Sequence, residues 1–251
     1  MDRTQITPPN IHVVSSEYQI PVIDKLLGRT TLKWQCDDGH SEKLTASLRF
    51  TDYEGNPPSL YSLTKLPFVA KTYFQAKRSP IMTTPVPFLV MDAIRYLDGK
   101  VKPGMKVMEL GGGNSSLWFL GKGAKVTTYE HDVQWAQMVY ETVEKSPEKY
   151  NENNFDLRVM QGTSTLNDMM NQEDASYDII LIDSMNEFTR RNDCIRVAMK
   201  KIKPGGWLVL DNSDNPVNWK GAELLEGKEM IRFSGFGPMA FFVCQTTFWK
   251  M

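Results

Sequence analysis

From residue 87 onward, apolar positions alternate between helical spacing and short continuous runs. Pro87–Leu97 carries apolar residues every three to four positions, the mark of a helix with one buried face, and Lys100–Gly104 closes it. Lys106–Leu110 is a short apolar run leading into Gly111-Gly112-Gly113, and Ser115–Gly121 reads as a helix. Lys125–Glu130 is a β-branched strand that ends in an acid. Asp132–Lys145 follows as a helix, with Asp132 as its N-cap. Leu157–Met160 predicts a short strand, Thr165–Asn171 a helix, and Tyr177–Asp183 (YDIILID) a buried strand. Phe188–Lys201 is helical and stopped by Pro204-Gly205-Gly206. Trp207–Asp211 is the next strand; Met230–Phe233 and Phe241–Phe248 are two more, able to pair as an antiparallel edge hairpin. Strands alternating with helices of this length predict an α/β fold: a mostly parallel sheet covered by helices on both faces.

Before residue 75 the pattern differs. Ile11–Val14, Thr31–Trp34 and Leu44–Phe50 are short β-like runs between turn signals such as Asp37-Asp38-Gly39 and Gly55-Asn56-Pro57-Pro58. Residues 1–75 therefore read as a small N-terminal accessory or lid segment with β character, and 76–251 as the main domain. The aromatics Tyr53, Tyr61, Phe68, Tyr73 and Phe74 either cover a site or fill a core.

Composition narrows the function classes. Of 251 residues, 41% are hydrophobic and 24% charged, which is ordinary for a globular protein. The net charge of −1 gives no basic field for nucleic acid. Cys36, Cys194 and Cys244 are too few and too scattered for a disulfide framework, so a reducing, cytoplasmic setting is expected. The polar start, Met1–Asn10, lacks the apolar stretch of a secretion signal, and no run is long enough to span a bilayer. Cys36 and His40 stand without further ligands, which does not make a zinc site.

Ligands of open α/β sheets bind beyond the carboxyl ends of the strands. The first of these ends is Glu109-Leu110-Gly111-Gly112-Gly113-Asn114, where glycines let the backbone approach a ligand closely. The second ends in Glu130, about 19 residues after Gly111, a place from which a carboxylate can accept from both hydroxyls of a ribose. The dinucleotide pattern G-x-G-x-x-G is incomplete, because Ser116 takes the third glycine's place. Glu109 would sit badly beside a pyrophosphate and suits a cationic ligand instead.

With VMELGGGNSS, TTYEHD, YDIILIDS and IKPGGWLVLDNSD in this order, residues 80–250 resemble the class I S-adenosylmethionine (SAM)-dependent methyltransferases. The resemblance implies a Rossmann-like fold and a SAM-dependent enzyme that methylates an O or N atom of a small-molecule acceptor. It further implies that Glu109, Gly111 and Gly113 line the methionine part of SAM, with Gly112 and Asn114 also binding the cofactor. Glu130 would bind the ribose, His131 the adenine face and Gly162, Thr163 and Ser164 the adenine edge, with Asp183 closing the site near the methyl group.

Asp183 ends one strand and Asp211-Asn212 the next. Three such oxygen groups suit a hard cation such as Mg²⁺, and the arrangement resembles the metal site of catechol-type O-methyltransferases. An Asp-Asn pair also makes a good turn, and the segment Ser184-Met185-Asn186-Glu187 lacks the lysine base of that family. Asp183, Asp211 and Asp214 are the candidates for acceptor-side chemistry. Phe233–Pro238 either rims the acceptor pocket or forms a hairpin loop. The competing readings are a non-catalytic scaffold or partner protein of the same fold, an NAD-dependent oxidoreductase, and a spermidine-synthase-like aminopropyl transferase.

Overall fold

The computed structural model describes residues 30–35, 41–46, 49–76, 79, 81, 84–184, 191–215 and 218–251. The chain divides into two compact units, Met1–Phe50 and Thr51–Met251. In the first, β1 (Thr30–Gln35) pairs antiparallel with β2 (Ser41–Ala46). The expected strand at 11–14 and the Cys36/His40 pair lie outside the described residues.

The second unit begins with α1 (Leu60–Thr64) and α2 (Leu66–Ala76), helices where the sequence suggested β character. Ser59 caps α1 by accepting from the Ser62 amide, 2.9 Å away. Residues 51–76 pack on this unit: Tyr61 and Phe68 lie against its core, while Tyr53 and Phe74 remain exposed. Then follow α3 (Met91–Asp98), β3 (Lys106–Leu110), α4 (Asn114–Gly121), β4 (Lys125–Glu130) and α5 (Val133–Glu144). The chain continues with β5 (Phe155–Val159), α6 (Thr163–Asn171), β6 (Tyr177–Ile182), α7 (Arg191–Lys201), β7 (Ile202–Asp211), α8 (Trp219–Ala222), β8 (Met230–Gly235) and β9 (Cys244–Lys250). The expected start of α7 at 188–190 lies outside the described residues.

Seven strands form one sheet in the order β5-β4-β3-β6-β7-β9-β8, parallel through β7 and antiparallel for β9 and β8. The fold is therefore the Rossmann-like α/β architecture expected. β7 starts earlier than its apolar run because Lys203–Gly206 bulges out of the ladder: Tyr177 pairs with Ile202, and Ile179 next with Trp207. β9 starts later, at Cys244, because Phe241 is drawn off the strand onto the Tyr73 ring, 5.0 Å between centroids. Phe233–Pro238 runs into the connection of the β8–β9 hairpin, the second of the two expected readings. It is the end of β8 followed by the buried Phe236, whose carbonyl accepts from Met91 N at 2.9 Å.

Alternation along the strands divides the core. Val107, Leu181, Val209 and Phe248 face Leu97 of α3, Leu117 and Phe119 of α4 and Val139 of α5. Met108, Ile180, Leu208 and Trp249 face Leu166 and Met169 of α6 and Ile195 and Ala198 of α7. Burial on both faces explains why β3, β6 and β7 read as unbroken apolar runs. None of the described helices is long and apolar enough to cross a membrane.

Candidate active site

The site forms where β3, β4, β6 and β7 end together. The ladder continues one residue past the strands: Gly111 N donates to Tyr129 O at 2.8 Å, and Asp183 N to Leu110 O at 2.9 Å. This pins the glycine turn between its neighbours. Gly111 has φ 89°, and a Cβ there would stand 2.6 Å from the carbonyl oxygen of Asp183. A Cβ on Gly112 would stand 2.5 Å from Thr128 Cγ2. No larger residue fits either position without moving a neighbouring element. Ser116, in the third glycine's place, closes the turn by accepting from Gly113 N at 2.9 Å.

Because Glu109 pairs in register with Thr128 and Leu181, its side chain shares a sheet face with Thr128 and, two residues on, Glu130 and Asp183. Glu109 is wholly buried. Its Oε1 accepts from Thr128 Oγ1 at 2.7 Å, while Oε2 finds no donor among the described residues. Burial pushes its carboxyl up to about 7; the nearby hydroxyls of Ser116, Thr128 and Ser115 oppose the rise, and the charge of Glu130 adds to it.

Glu130 is held by the backbone of the turn it serves. Its Oε2 accepts from Gly112 N at 2.8 Å, and Oε1 from His131 N and Asp132 N at 2.7 and 2.8 Å. His131 Nδ1 lies 2.9 Å from the same Oε1. Asp132 caps α5 as expected, accepting from Trp135 N at 2.9 Å. That cap aims Trp135 back at the glycines, where its Nε1 donates to Gly112 O at 2.7 Å.

A cleft of about 180 Å³ opens here, lined by Gly111, Gly112, Asn114, Glu130, His131 and Asp183, with Phe88 and Trp135 as aromatic walls. Gly162, Thr163 and Ser164 begin α6 beside it in the sheet order but do not line it. Gly162 has φ 60°, Thr163 and Ser164 are exposed, and Ser164 Oγ donates to Gln161 O at 2.6 Å. A roomier cavity of about 430 Å³, lined by residues including Leu225, Arg232 and Trp249, holds none of these carboxylates.

On the acceptor side, Asp183 and Asp211 follow directly on the register partners Ile182 and Leu210, so the sequence placed them together correctly. The cation between them is a side chain. Arg191, at the start of α7 and 7% exposed, donates from one terminal nitrogen to Asp211 O at 2.7 Å. Its second terminal nitrogen reaches Asp183 Oδ1 at 3.4 Å, and Nε donates to Ser184 O. Burial raises the Asp183 carboxyl, opposed by Arg191 and reinforced by Glu109 and Glu130. Burial, and after it the charge of Asp183, hold the Asp211 carboxyl well above the ordinary range.

Protein groups already occupy part of the expected Mg²⁺ ligand set of Asp183, Asp211 and Asn212. Asp211 Oδ1 already accepts from Thr246 Oγ1 at 2.6 Å. Asn212 sits at φ 51° and makes the turn, its carbonyl accepting from Asn215 N at 3.0 Å and Asn218 Nδ2 at 2.9 Å. Among the described residues no three His, Cys, Asp or Glu side chains are grouped to hold a metal. Asp214 is wholly buried and serves the fold: its carboxylate accepts from Tyr53 N at 2.9 Å and Gln245 N at 3.1 Å. Trp135, Thr128 and Arg191 escaped the sequence reading. Trp135, five residues after Glu130 on the first turn of a helix, was the only one with a positional signal.

Residues 108–213 match the family model described as a methyltransferase domain. No curated protein matches the chain. Among solved structures, an O-methyltransferase from Bacillus cereus in complex with SAH is similar at 17% identity, with 75% of this chain and 94% of that one covered and a TM-score of 0.53. A putative O-methyltransferase from Klebsiella pneumoniae is similar at 17% identity, with 76% and 94% covered and a TM-score of 0.53. The O-methyltransferase TomG from Streptomyces achromogenes, in complex with SAM, follows at 16% identity, 72% and 87% covered, TM-score 0.50. At such identities the structural likeness speaks for the fold alone, and the family model covers residues 108–213, less than half of the chain. Both agree with the glycine turn and its carboxylates: residues 108–213 resemble a methyltransferase domain, and the chain shares the Rossmann-like fold of these structures.

Proposed function

We propose that the protein methylates a hydroxyl oxygen of a small-molecule acceptor, with Glu109, Gly111–Asn114, Glu130 and His131 holding SAM and Asp183 serving the acceptor. One observation carries this reading: three carboxylates, Glu109, Glu130 and Asp183, stand in a row beneath and beside a glycine turn. Such a row rejects a pyrophosphate and attracts a cation, and SAM brings a sulfonium and an ammonium. This disfavours the NAD reading. The O-methyltransferase names of the structural relatives agree with an oxygen acceptor.

SAM supplies a methyl group on positively charged sulfur, open to in-line displacement by a nucleophile. The chain's own residues orient, shield and move a proton. Glu130, already fixed by three backbone amides, presents its remaining lone pairs to the ribose hydroxyls. Phe88 and Trp135 keep water from the cleft. A hydroxyl needs to lose its proton as it attacks. Asp183, at the cleft wall with a raised pKa, accepts that proton, while the buried Asp211 orients its surroundings through Thr246. The few, scattered cysteines support a reducing, cytoplasmic setting.

Calorimetric titration with SAM, S-adenosylhomocysteine and NAD tests the donor assignment. Both adenosyl ligands are expected to bind at micromolar levels, and NAD not at all. E130A removes charge-assisted hydrogen bonds worth about 1.5–3 kcal/mol each, so SAM should bind at least tenfold more weakly. A correctly folded E130A with unchanged SAM affinity would remove Glu130 from the site.

A further inference from the structure

We propose that Arg191 is a built-in cation standing where metal-dependent O-methyltransferases of this fold hold a divalent ion, so that the acceptor side works without one. The inference deepens the acceptor-side reading above and rests on it. Its basis is the set of oxygens Arg191 engages: Ser184 O, Asp211 O and Asp183 Oδ1, from the ends of two adjacent parallel strands. These atoms surround the space between the strand ends, and a guanidinium fills it with donors aimed at each. A hard cation needs six or more oxygens, arranged around a point. A planar fork satisfies three acceptors in fixed directions and cannot be displaced by deprotonation.

The placement has a local cause. Arg191 opens α7, and the next turns of that helix bury Cys194, Ile195 and Ala198 against β6 and β7. Packing of the helix thus fixes the guanidinium with its side chain only 9% exposed. Around it stand Asp183, Asp211 and, further out, Glu109, Glu130 and Asp214, a set of carboxylates whose mutual repulsion one permanent positive charge partly offsets.

A consequence follows for the acceptor. A divalent ion selects acceptors that chelate it through two neighbouring oxygens. Arg191 is committed to protein oxygens and offers no such chelation, so an acceptor needs only one reacting hydroxyl, its proton passing to Asp183.

The test is Mn²⁺ binding to the full-length protein, followed by electron paramagnetic resonance and calorimetry. The wild type is compared with D183N, D211N, R191K and R191M. In the wild type, any Mn²⁺ uptake should be unchanged by D183N or D211N, and SAM affinity should be the same in Mg²⁺ and in EDTA. R191M removes the charge and keeps bulk; it should gain Mn²⁺ affinity at least tenfold, and D183N added to it should abolish the gain. R191K, which retains a cation, should not gain it. A purely structural arginine would not separate lysine from methionine in this way. The proposal is overturned if D183N or D211N weakens wild-type Mn²⁺ binding tenfold, or if folded R191M gains no site. Should R191M fail to fold, the wild-type comparison with D183N decides alone. Failure of SAM to bind at all would instead sink the donor assignment.

Discussion

Replacing Glu109 by glutamine should stabilise the free protein and cripple it as a SAM binder. Glu109 is wholly buried, and burial lifts its carboxyl from 4.5 to about 7. The folded chain therefore binds this proton more tightly than the unfolded chain. The group favours folding fully below pH 4.5, and that contribution is lost as the pH rises from 4.5 to 7. Above pH 7 the buried charge stands as a cost of about 3 kcal/mol, at 1.36 kcal/mol per pKa unit. E109Q is nearly isosteric, can still accept from Thr128 Oγ1, and carries no charge. At pH 8 it should be more stable than the wild type by up to about 3 kcal/mol, a rise in Tm of roughly 6–12 °C for a chain of this size. At pH 4.5 the advantage should vanish. SAM affinity should move the other way. A lost hydrogen bond to a charged group is worth about 1.5–3 kcal/mol, so E109Q should bind SAM about ten- to a hundredfold more weakly at pH 8. Wild-type affinity should itself fall below pH 7, by about tenfold per pH unit, as Glu109 takes up a proton. Differential scanning calorimetry and isothermal titration across pH 5–8 read both effects. An E109Q protein that is less stable than wild type at pH 8, or that keeps its SAM affinity, would refute the argument that a buried charge is maintained here for the ligand.

Three further substitutions probe the scaffold of the site. G111A forces a side chain onto a residue at φ 89° and into the carbonyl of Asp183; strain of about 1–3 kcal/mol should lower Tm, and SAM binding should drop more than tenfold in a protein whose circular dichroism stays helical and stranded. W135F deletes the donor to Gly112 O and should weaken SAM binding by up to about tenfold, since one hydrogen bond contributes about 1 kcal/mol; unchanged affinity in titration would mean the turn holds its shape without the indole. D132A removes the cap of α5 and should lower stability by about 1 kcal/mol, seen as a Tm decrease of roughly 2–4 °C, with a smaller effect on SAM than either change above.

The fold was largely legible because its signals are local. Apolar runs at 106–110, 177–182 and 207–211 are strands buried on both faces, and glycines or an Asp cap mark where each turn begins. Residues 51–76 were misread because Gly55-Asn56-Pro57-Pro58 looks like strand punctuation, whereas it leads into a helix capped by Ser59. The shared position of Glu109, Glu130 and Asp183 was legible because each stands within one residue of a strand's carboxyl end. Asp214 was misjudged: adjacency to Asp211 in sequence does not say which way a side chain turns after the strand has ended, and this one turns inward to Tyr53 and Gln245.

The sequence by itself determined the parallel sheet, the glycine turn and the carboxylates along its edge, since spacing along one chain dictates which residues share a face and which end a strand. Only the tertiary structure decided what lies between those carboxylates. Arg191 comes from a helix whose packing against β6 and β7 sets where its guanidinium lands, eight residues after Asp183 in sequence. Long-range electrostatics depends on such distances in space, and no periodicity records them. The same holds for Trp135 closing on Gly112 and for Thr246, from the last strand, capping Asp211: each contact joins elements whose proximity exists only once the core has packed.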